Sequence, residues 1–556
     1  MNENTRSFWL HLALLLACCA IATYPLIHAG LFQGHDFQIE VVRVAEYAHM
    51  LQAGIFPVRW GADLEGGYGY PIYNFFPPLF MLIASVFVNA ASLSVLSAIK
   101  LTLFLLTFAA GIGMYWFARE HYEKNGAVLA ACLYILVPYH FIDIFIRNAF
   151  SEFTAMAVVP FVFYGLARLL KEAHPGSVAT LALVVSSTLF LLSHNLSVFM
   201  YAPLLLGYVV LYAASTQQWG KLLYLIVPIF VAFTLSSFYT LPLLFEKQFV
   251  QLWMLTTGKF NVLNNFLPVS DLTPFWLTPL GWIVMAVSSG MLIRYRCSIS
   301  KPTFAILCFF IVTLLTLLFL STPASRVIWS KMELLKWLQF PWRLLSPATF
   351  IICFMAGVFA YPSDKNVRTI LIVGFILTGV VTLATVSTAI RGNYVSIANE
   401  ALTPKQIQLQ WLPTTILSEY LPIWVREKPS APVEDRLTSS RPDTDFLKIE
   451  ESPRRHFYKV VATGETWLTA NLFYFPGWKL YVNGEEVKPN VTEQGLMQFH
   501  LPKGQFQLDL KFENTPVRTL GNSLSILGLL LLGIMIFLAI SPTRRQQFQE
   551  NQDGGK

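Results

Sequence analysis

Thirteen apolar stretches recur along the chain, near residues 8–27, 79–95, 98–118, 126–145, 152–170, 178–193, 197–214, 222–245, 276–293, 303–320, 344–361, 368–390 and 523–540. Most approach the ~20 residues that a helix needs to cross a bilayer. The region 391–520 breaks this rhythm. Residues 391–450 are polar, Pro-rich and without clear periodicity, whereas 458–461, 467–473, 479–482, 497–501 and 506–512 are short runs of aromatic and β-branched residues. Asn483-Gly484 and Lys503-Gly504 mark turns between such runs. The pattern predicts a polytopic α-helical membrane protein with a small β-sandwich near its C-terminus. The plan is a membrane domain over 1–390 with a polar first loop at 29–78, a linker over 391–454, the β-sandwich over 455–520, and a last helix with a polar tail over 521–556.

Charge assigns sides. Short loops bearing Arg168 with Lys171, Lys221, Arg294 with Arg296 and Lys301, Lys365 with Arg368, and Arg544 with Arg545 read as cytoplasmic. The loops at 29–78, 139–151, 194–196, 246–275 and 321–343, and the region 391–520, then face the other side. If 79–95 and 98–118 both crossed, the charged run Arg119–Lys124 would be extracytoplasmic and every later loop would invert. One net crossing is therefore expected there, with 79–95 re-entrant or interfacial, or with the two stretches forming one broken span. That gives twelve crossings and two cytoplasmic termini. The first apolar core, near 20 residues, exceeds the ~7–15 of a signal peptide and is expected to stay as a helix.

Composition narrows the class. The 556-residue chain is 55% hydrophobic and 13% charged, with a mean hydropathy of +0.54, which excludes an ordinary soluble domain. The net charge of +7 is spread over loops without a long basic run, so no nucleic-acid partner is expected. Five of six cysteines lie in apolar stretches and no CxxC occurs, so neither disulfides nor a thiolate metal site is expected.

The polar residues capable of chemistry fall on one side: His35 and Asp36 in the first loop, Arg147 and Glu152 near 150, His194 and Asn195 at a helix–helix turn, Arg343 after Trp342, and Glu419-Tyr420 before the β-region. Asp36 reads either as a helix cap or an ion pair with Arg43, the commoner fate of loop carboxylates, or as a general base or metal ligand at the membrane boundary. Arg147 and Glu152 read equally as a mutual ion pair or as site residues. Arg343 suits a phosphate, which arginine binds bidentately, or an interfacial anchor beside Trp342. His194 reads first as a hydrogen-bonded structural histidine and second as a catalytic one. The run Gly66-Gly67-Tyr68-Gly69-Tyr70-Pro71 lacks the lysine of a phosphate loop and suits a tight aromatic turn.

These residues carry a resemblance. Gly54-Ile55-Phe56-Pro57-Val58-Arg59-Trp60, the run Gly67 to Pro78, Arg147-Asn148-Ala149-Phe150-Ser151-Glu152, Ser193-His194-Asn195-Leu196-Ser197, Gln339-Phe340-Pro341-Trp342-Arg343 and Glu419-Tyr420-Leu421-Pro422 are similar to a bacterial membrane family labelled 6-pyruvoyl-tetrahydropterin-synthase-related. Phe475-Pro476-Gly477-Trp478-Lys479 with Asn483-Gly484 also resembles the tail domain of YfhO-type membrane glycosyltransferases, and the whole plan resembles the GT-C superfamily. The resemblance implies an inverting glycosyltransferase in the bacterial inner membrane, with its active face and β-domain periplasmic. It implies a polyprenyl-phosphate-linked sugar donor and a cell-envelope glycan, lipid or protein acceptor, handled among membrane lipids. By that resemblance Asp36 is the base or a metal ligand, with Glu152 and His194 as further catalytic candidates. Arg147 and Arg343 would hold the lipid phosphate, and His35, Asn195, Glu419 and Tyr420 would line the substrate. Some GT-C members carry an acidic pair that holds Mg or Mn; here a single Asp stands at that place and the metal is left unassigned. The rival readings are a non-catalytic transporter or flippase-like protein and an envelope assembly protein.

Overall fold

The computed structural model describes residues 3–172, 178–266, 279–361, 365–387 and 392–540. Every apolar stretch carries a helix in it: α1 (Glu3–Thr23), α3 (Leu79–Ala90), α4 (Val95–Arg119), α5 (Lys124–Leu136), α6 (Phe150–Glu172), α7 (Val178–Leu191), α8 (Asn195–Thr216), α9 (Ile226–Glu246), α10 (Pro279–Arg294), α11 (Lys301–Leu320), α12 (Leu345–Met355), α13 (Lys365–Ser387) and α14 (Pro516–Ile540). The polar first loop adds α2 (Phe37–Gln52). Among the described residues nine helical segments are long and apolar enough to cross a membrane, and four more apolar helices are shorter. One of the four is α3, whose 12 residues reach ~18 Å against a hydrocarbon core of ~30 Å. The tail with Arg544 and Arg545, and part of the loop expected at 246–275, lie outside the described residues.

Helix α14 lies along α9, and glycine makes the approach close. A Cβ at Gly521 would stand 2.6 Å from the Ser237 carbonyl oxygen, and one at Gly528 would stand 2.7 Å from the Leu235 nitrogen. Small residues let helix backbones meet in this way. Ser525 Oγ then donates to the Thr234 carbonyl at 3.1 Å and accepts from the Phe238 amide at 2.8 Å.

Strands follow the predicted runs at β5 (Arg455–Ala462), β6 (Thr466–Phe473), β7 (Trp478–Val482), β10 (Leu496–Leu501) and β11 (Gly504–Phe512). Four shorter or more exposed strands had no clear sequence signal: β3 (Leu437–Ser439), β4 (Asp445–Ser452), β8 (Glu485–Val487) and β9 (Asn490–Val491). Of these, β3 and β4 lie inside the segment expected to be an irregular linker. The reason is visible in β4: nearly all of its side chains face solvent, so it lacks the alternation that a half-buried strand shows. The strands form two antiparallel sheets, ordered β3-β6-β10-β9 and β4-β5-β11-β7-β8. A separate pair, β1 (Leu31–Phe32) with β2 (Tyr394–Val395), ties the first loop to the segment leading to these sheets.

The aromatic turn at Gly66–Tyr70 docks the β-region. Phe473 donates its amide to the Tyr68 carbonyl at 2.9 Å, Val433 donates to the Gly66 carbonyl at 2.8 Å, and Arg436 Nη1 donates to the Gly67 carbonyl at 2.6 Å. Tyr68 stacks on Phe473, and Trp60 packs against Phe475, Trp478 and Phe512.

A second clasp is ionic. Glu246, at the end of α9, accepts from Arg518 Nε at 3.0 Å and Nη2 at 2.9 Å, and from Asn74 Nδ2 at 2.6 Å. Asn74 in turn accepts from Arg59 Nη1 at 3.1 Å, while Arg59 Nη2 reaches Asn522 Oδ1 at 2.8 Å. First loop, α9 and α14 thus share one network, and Arg518 is fully buried. Removing one partner leaves a buried charge, which typically costs about 3–5 kcal/mol. Glu246→Ala is expected to lower the detergent unfolding temperature sharply, whereas Glu246→Gln, which keeps an acceptor, should lower it less; fluorescence-detected unfolding checks this.

Candidate functional site

The sequence Phe141-Ile142-Asp143-Ile144-Phe145-Ile146-Arg147 places an acid and a base four residues apart in an apolar run. Residues Ile142–Arg147 form a π-helix that ends at Asn148, whose φ of 54° is left-handed. Such turns are frequent at functional sites because the widened backbone re-aims side chains. Here Arg147 faces two carboxylates. Its Nη1 pairs with Asp143, and its Nη2 pairs with Glu152 Oε2 at 2.9 Å. Glu152 sits in the first turn of α6 and also accepts from the Tyr139 hydroxyl at 2.8 Å. Arg343 closes the group, its Nε 3.7 Å from Glu152 Oε2. The Arg147 guanidinium lies 4.5 Å over the Trp342 ring. Two arginines and two carboxylates therefore balance inside the helix bundle, where unpaired charge would be costly.

The first loop is built onto this group. His35 donates its amide to the Ile146 carbonyl at 2.9 Å, and Asp36 donates to the Arg147 carbonyl at 3.1 Å. The approach depends on Gly34, since a Cβ there would stand 2.8 Å from the Phe145 carbonyl oxygen. Asp36 precedes α2 but does not cap it through its side chain. Nor does it pair with Arg43, which binds Glu40 Oε1 at 2.8 Å and donates from Nε to the Thr414 carbonyl at 2.8 Å. The half-exposed Asp36 carboxylate has no hydrogen bond or ion pair among the described residues. Both structural roles weighed for it from the sequence are absent.

A second carboxylate stands beside it after all. Glu40, one helical turn on, interacts electrostatically with Asp36. Burial pushes its carboxyl up to about 7, against the pull of Arg43 and with the Asp36 charge adding to the rise. Its Oε2 is buried without a hydrogen-bond partner among the described residues.

Of the remaining predicted residues, His194 and Tyr420 come within electrostatic range of the cluster. His194 caps α8 through Nδ1, which accepts from the Ser197 amide at 3.3 Å. Burial holds its imidazole down to about 4, with Glu152 opposing, so it is neutral near pH 7. Asn195 accepts from the Tyr239 hydroxyl at 3.0 Å and donates to the Phe75 carbonyl at 3.2 Å. Tyr420 stacks on Phe75 and takes the Tyr70 hydroxyl as acceptor for its amide at 2.9 Å. It lies in electrostatic range of both Arg43 and Arg343, and burial raises its phenol. Glu419 turns back to accept from the Leu417 amide at 3.1 Å. His35 is exposed. Ion pairs thus join Arg147, Glu152 and Arg343, and separately Glu40 and Arg43, with Tyr420 in electrostatic range of both groups.

Asp143, Glu40, Arg43 and Tyr239 are the members that sequence reasoning did not select. The signals were present: an acid inside an apolar stretch is a functional-site candidate by default, and Glu40-x-x-Arg43 is helical pairing spacing. A further group, Glu46, His49 and Asp63, brings one ligand atom from each residue within 4.8 Å of one another.

Fold and site together define a polytopic membrane protein with a charged, largely buried cluster under a β-rich region. Residues 73–390 match the family model described as 6-pyruvoyl-tetrahydropterin synthase related domain; membrane protein, and the chain belongs to that family. The match takes in Arg147, Glu152, His194, Asn195 and Arg343, and leaves Asp36, Glu40, Glu419 and Tyr420 outside. No curated protein matches the chain in sequence. Among solved structures, it is similar to the arabinofuranosyltransferase AftD from Mycobacteria at 17% identity and a TM-score of 0.44, covering 70% of this chain and 28% of that one. It is also similar to the Archaeoglobus fulgidus oligosaccharyltransferase, in its apo form at 13% identity and a TM-score of 0.46, covering 74% and 61%. The same enzyme with an inhibitory peptide and a dolichol-phosphate gives 14%, 0.46, 75% and 61%. The chain thus spans less than two thirds of each of these proteins.

Arg147→Ala would strand Asp143 and Glu152 together. A loss of about 3–5 kcal/mol is expected from breaking a buried pair, read as a lower unfolding temperature. A Glu152→Ala variant in the same background should add little further, because the two share one network.

Proposed function

We propose that this protein is a GT-C-type inverting glycosyltransferase of the bacterial inner membrane, moving a sugar from a polyprenyl-phosphate-linked donor to an envelope glycan, lipid or protein acceptor on the periplasmic side. The observation that carries the reading is the uncommitted Asp36 carboxylate, which neither caps α2 nor pairs with Arg43, held against the backbone of the buried arginine–carboxylate cluster. A carboxylate with no structural partner, on a loop whose backbone is tied to that of Arg147, suits proton abstraction from an acceptor.

In this mechanism the acceptor hydroxyl oxygen forms a bond to the sugar anomeric carbon, and its proton passes to Asp36. The bond from that carbon to the lipid phosphate oxygen breaks, and the electron pair leaves on the phosphate. Arg343, whose Nε has no hydrogen-bond partner among the described residues, faces that charge. Arg147 supports it through Glu152. Single displacement inverts the anomeric centre. Glu40 is a positioning residue: once ionised, it sets a second negative charge near Asp36. Asp36 and the free Oε2 of Glu40 supply oxygen ligands of the kind Mg and Mn take, and such an ion would orient donor oxygens and temper their charge. In this reading Tyr420, stacked on Phe75, and His194 lie near Arg343, and Asn195, His35 and Glu419 contribute to substrate binding. The β-region, read as a sandwich, shapes the acceptor side. Twelve crossings, with one net crossing between 79 and 118, keep these residues on one face, as the loop charges require.

Asp36→Asn is expected to lower transfer in a membrane assay with lipid-linked sugars by about 10²–10⁴-fold, the usual worth of a general base, with the protein inserted and folded. Wild-type product from that variant would remove Asp36 from the mechanism. Transfer should also rise with pH through about 7, where Glu40 ionises. In Glu40→Gln this limb should vanish; an unchanged pH profile would exclude Glu40 as its source.

A further inference from the structure

The C-terminal half of α2 carries a different set of groups. Glu46-x-x-His49 puts a carboxylate and an imidazole on one helix face. Asp63, from the loop after Trp60, is brought to them by its own amide, which donates to Glu46 Oε1 at 3.2 Å. One ligand atom from each residue lies within 4.8 Å of the others. Ligand atoms around a tetrahedral Zn²⁺ stand ~3.4 Å apart, so the side chains must rotate inward by about an ångström to close on one.

The protein satisfies the arrangement only in part: the Glu46 and Asp63 carboxyls interact with each other, but other atoms of the set are left over. Glu46 is fully buried, and its Oε2 has no hydrogen-bond partner among the described residues; neither has His49 Nδ1, which stands 4.0 Å away. The cation nearby is engaged elsewhere: Arg436 donates from Nη1 to the Gly67 and Asn471 carbonyls, and its Nε lies 3.8 Å from Glu451. Buried carboxylate oxygen without a partner is costly.

A second observation points to a ligand independently. A cavity of about 690 Å³ lies beside the group, lined by His49, Asp63, Gln408, Arg436, Glu451 and His456 among others. His456 comes from the β-region, is almost fully buried, and keeps Nδ1 without a hydrogen-bond partner, 3.9 Å from Glu451. The partly exposed Asp63 and His49 give an ion a way in.

We propose that Glu46, His49 and Asp63 form a site for a divalent transition-metal ion, which fastens α2 to the first loop beneath the β-region. One imidazole nitrogen with two carboxylate oxygens is a borderline donor set that favours Zn²⁺ over Mg²⁺ or Ca²⁺. Three protein ligands leave a position open toward the cavity, where Glu451 and His456 stand. The site is separate from Asp36: ten residues of helix set the two ~15 Å apart. Its role is to hold the helix that carries Asp36 and Glu40, and it does not depend on the glycosyltransferase reading.

The test uses the full-length protein in detergent, freed of any affinity tag and stripped with chelator. Titration with Zn²⁺ is expected to give one ion per chain and a rise in unfolding temperature. His49→Gln and Asp63→Asn should each weaken binding by about 100-fold or more, beyond what an outer-shell change costs. Because either variant could disturb folding, Co²⁺ added to the wild-type protein gives a second reading. Visible ligand-field bands that Zn²⁺ abolishes and excess Mg²⁺ leaves intact support the site. No stoichiometric Zn²⁺ in the wild type, unchanged affinity in both variants, or displacement of Co²⁺ by Mg²⁺ would overturn it.

Discussion

The pairing of Arg147 with Glu152 is the constraint on which the site depends. It joins the π-helical turn after α5 to the first turn of α6, inside a bundle where neither charge could stand alone. Asp143 and Arg343 complete a neutral foursome, and Trp342 covers the guanidinium. With the turn fixed, the carbonyls of Ile146 and Arg147 present a rigid edge, and the first loop hydrogen-bonds to it. Asp36 is therefore positioned by backbone, not by its own side chain, and its carboxylate is left unengaged.

The same logic explains α2. Asp36 immediately precedes it and Glu40 lies in its first turn, while its last turns carry Glu46 and His49. The helix thereby links the charged cluster to the residues that face the β-region. Arg43 holds it midway, through Glu40, the Thr414 carbonyl and the face of Phe76. The clasp of Glu246 with Arg518 brings the last helix into the same frame.

Much of this was legible in the sequence, for physical reasons. Apolar runs reveal membrane helices because the bilayer demands length and composition together; each of the thirteen stretches carries a helix, and nine helical segments among the described residues are long enough to cross. Strands with one buried face, such as β5 and β11, showed as aromatic and β-branched runs. Strand β4 stayed hidden because its side chains face solvent, and β8 and β9 are too short to show a period. In the site, Arg147, Glu152 and Arg343 were visible as rare charges near apolar segments. Asp143 carried the same signal, an acid inside an apolar run, and its pairing with Arg147 needed the π-helical turn to become visible. Glu40 was passed over because its nearness to Asp36 depends on the first loop being helical, which its polar composition did not suggest. Glu46 and His49 were hidden likewise, since Asp63 reaches them only through the tertiary fold.

The central claim is that the Asp36 carboxylate serves bond-making chemistry on a lipid-linked sugar. Purified wild-type protein in lipid nanodiscs, given a polyprenyl-phosphate-linked sugar and an envelope-glycan acceptor, tests this most directly through the release of free polyprenyl phosphate. The account predicts release in step with glycosylated acceptor, with inverted anomeric configuration in the product. Donor that stays intact, or that only changes leaflet when the protein sits in sealed vesicles, would contradict it and favour a transport role.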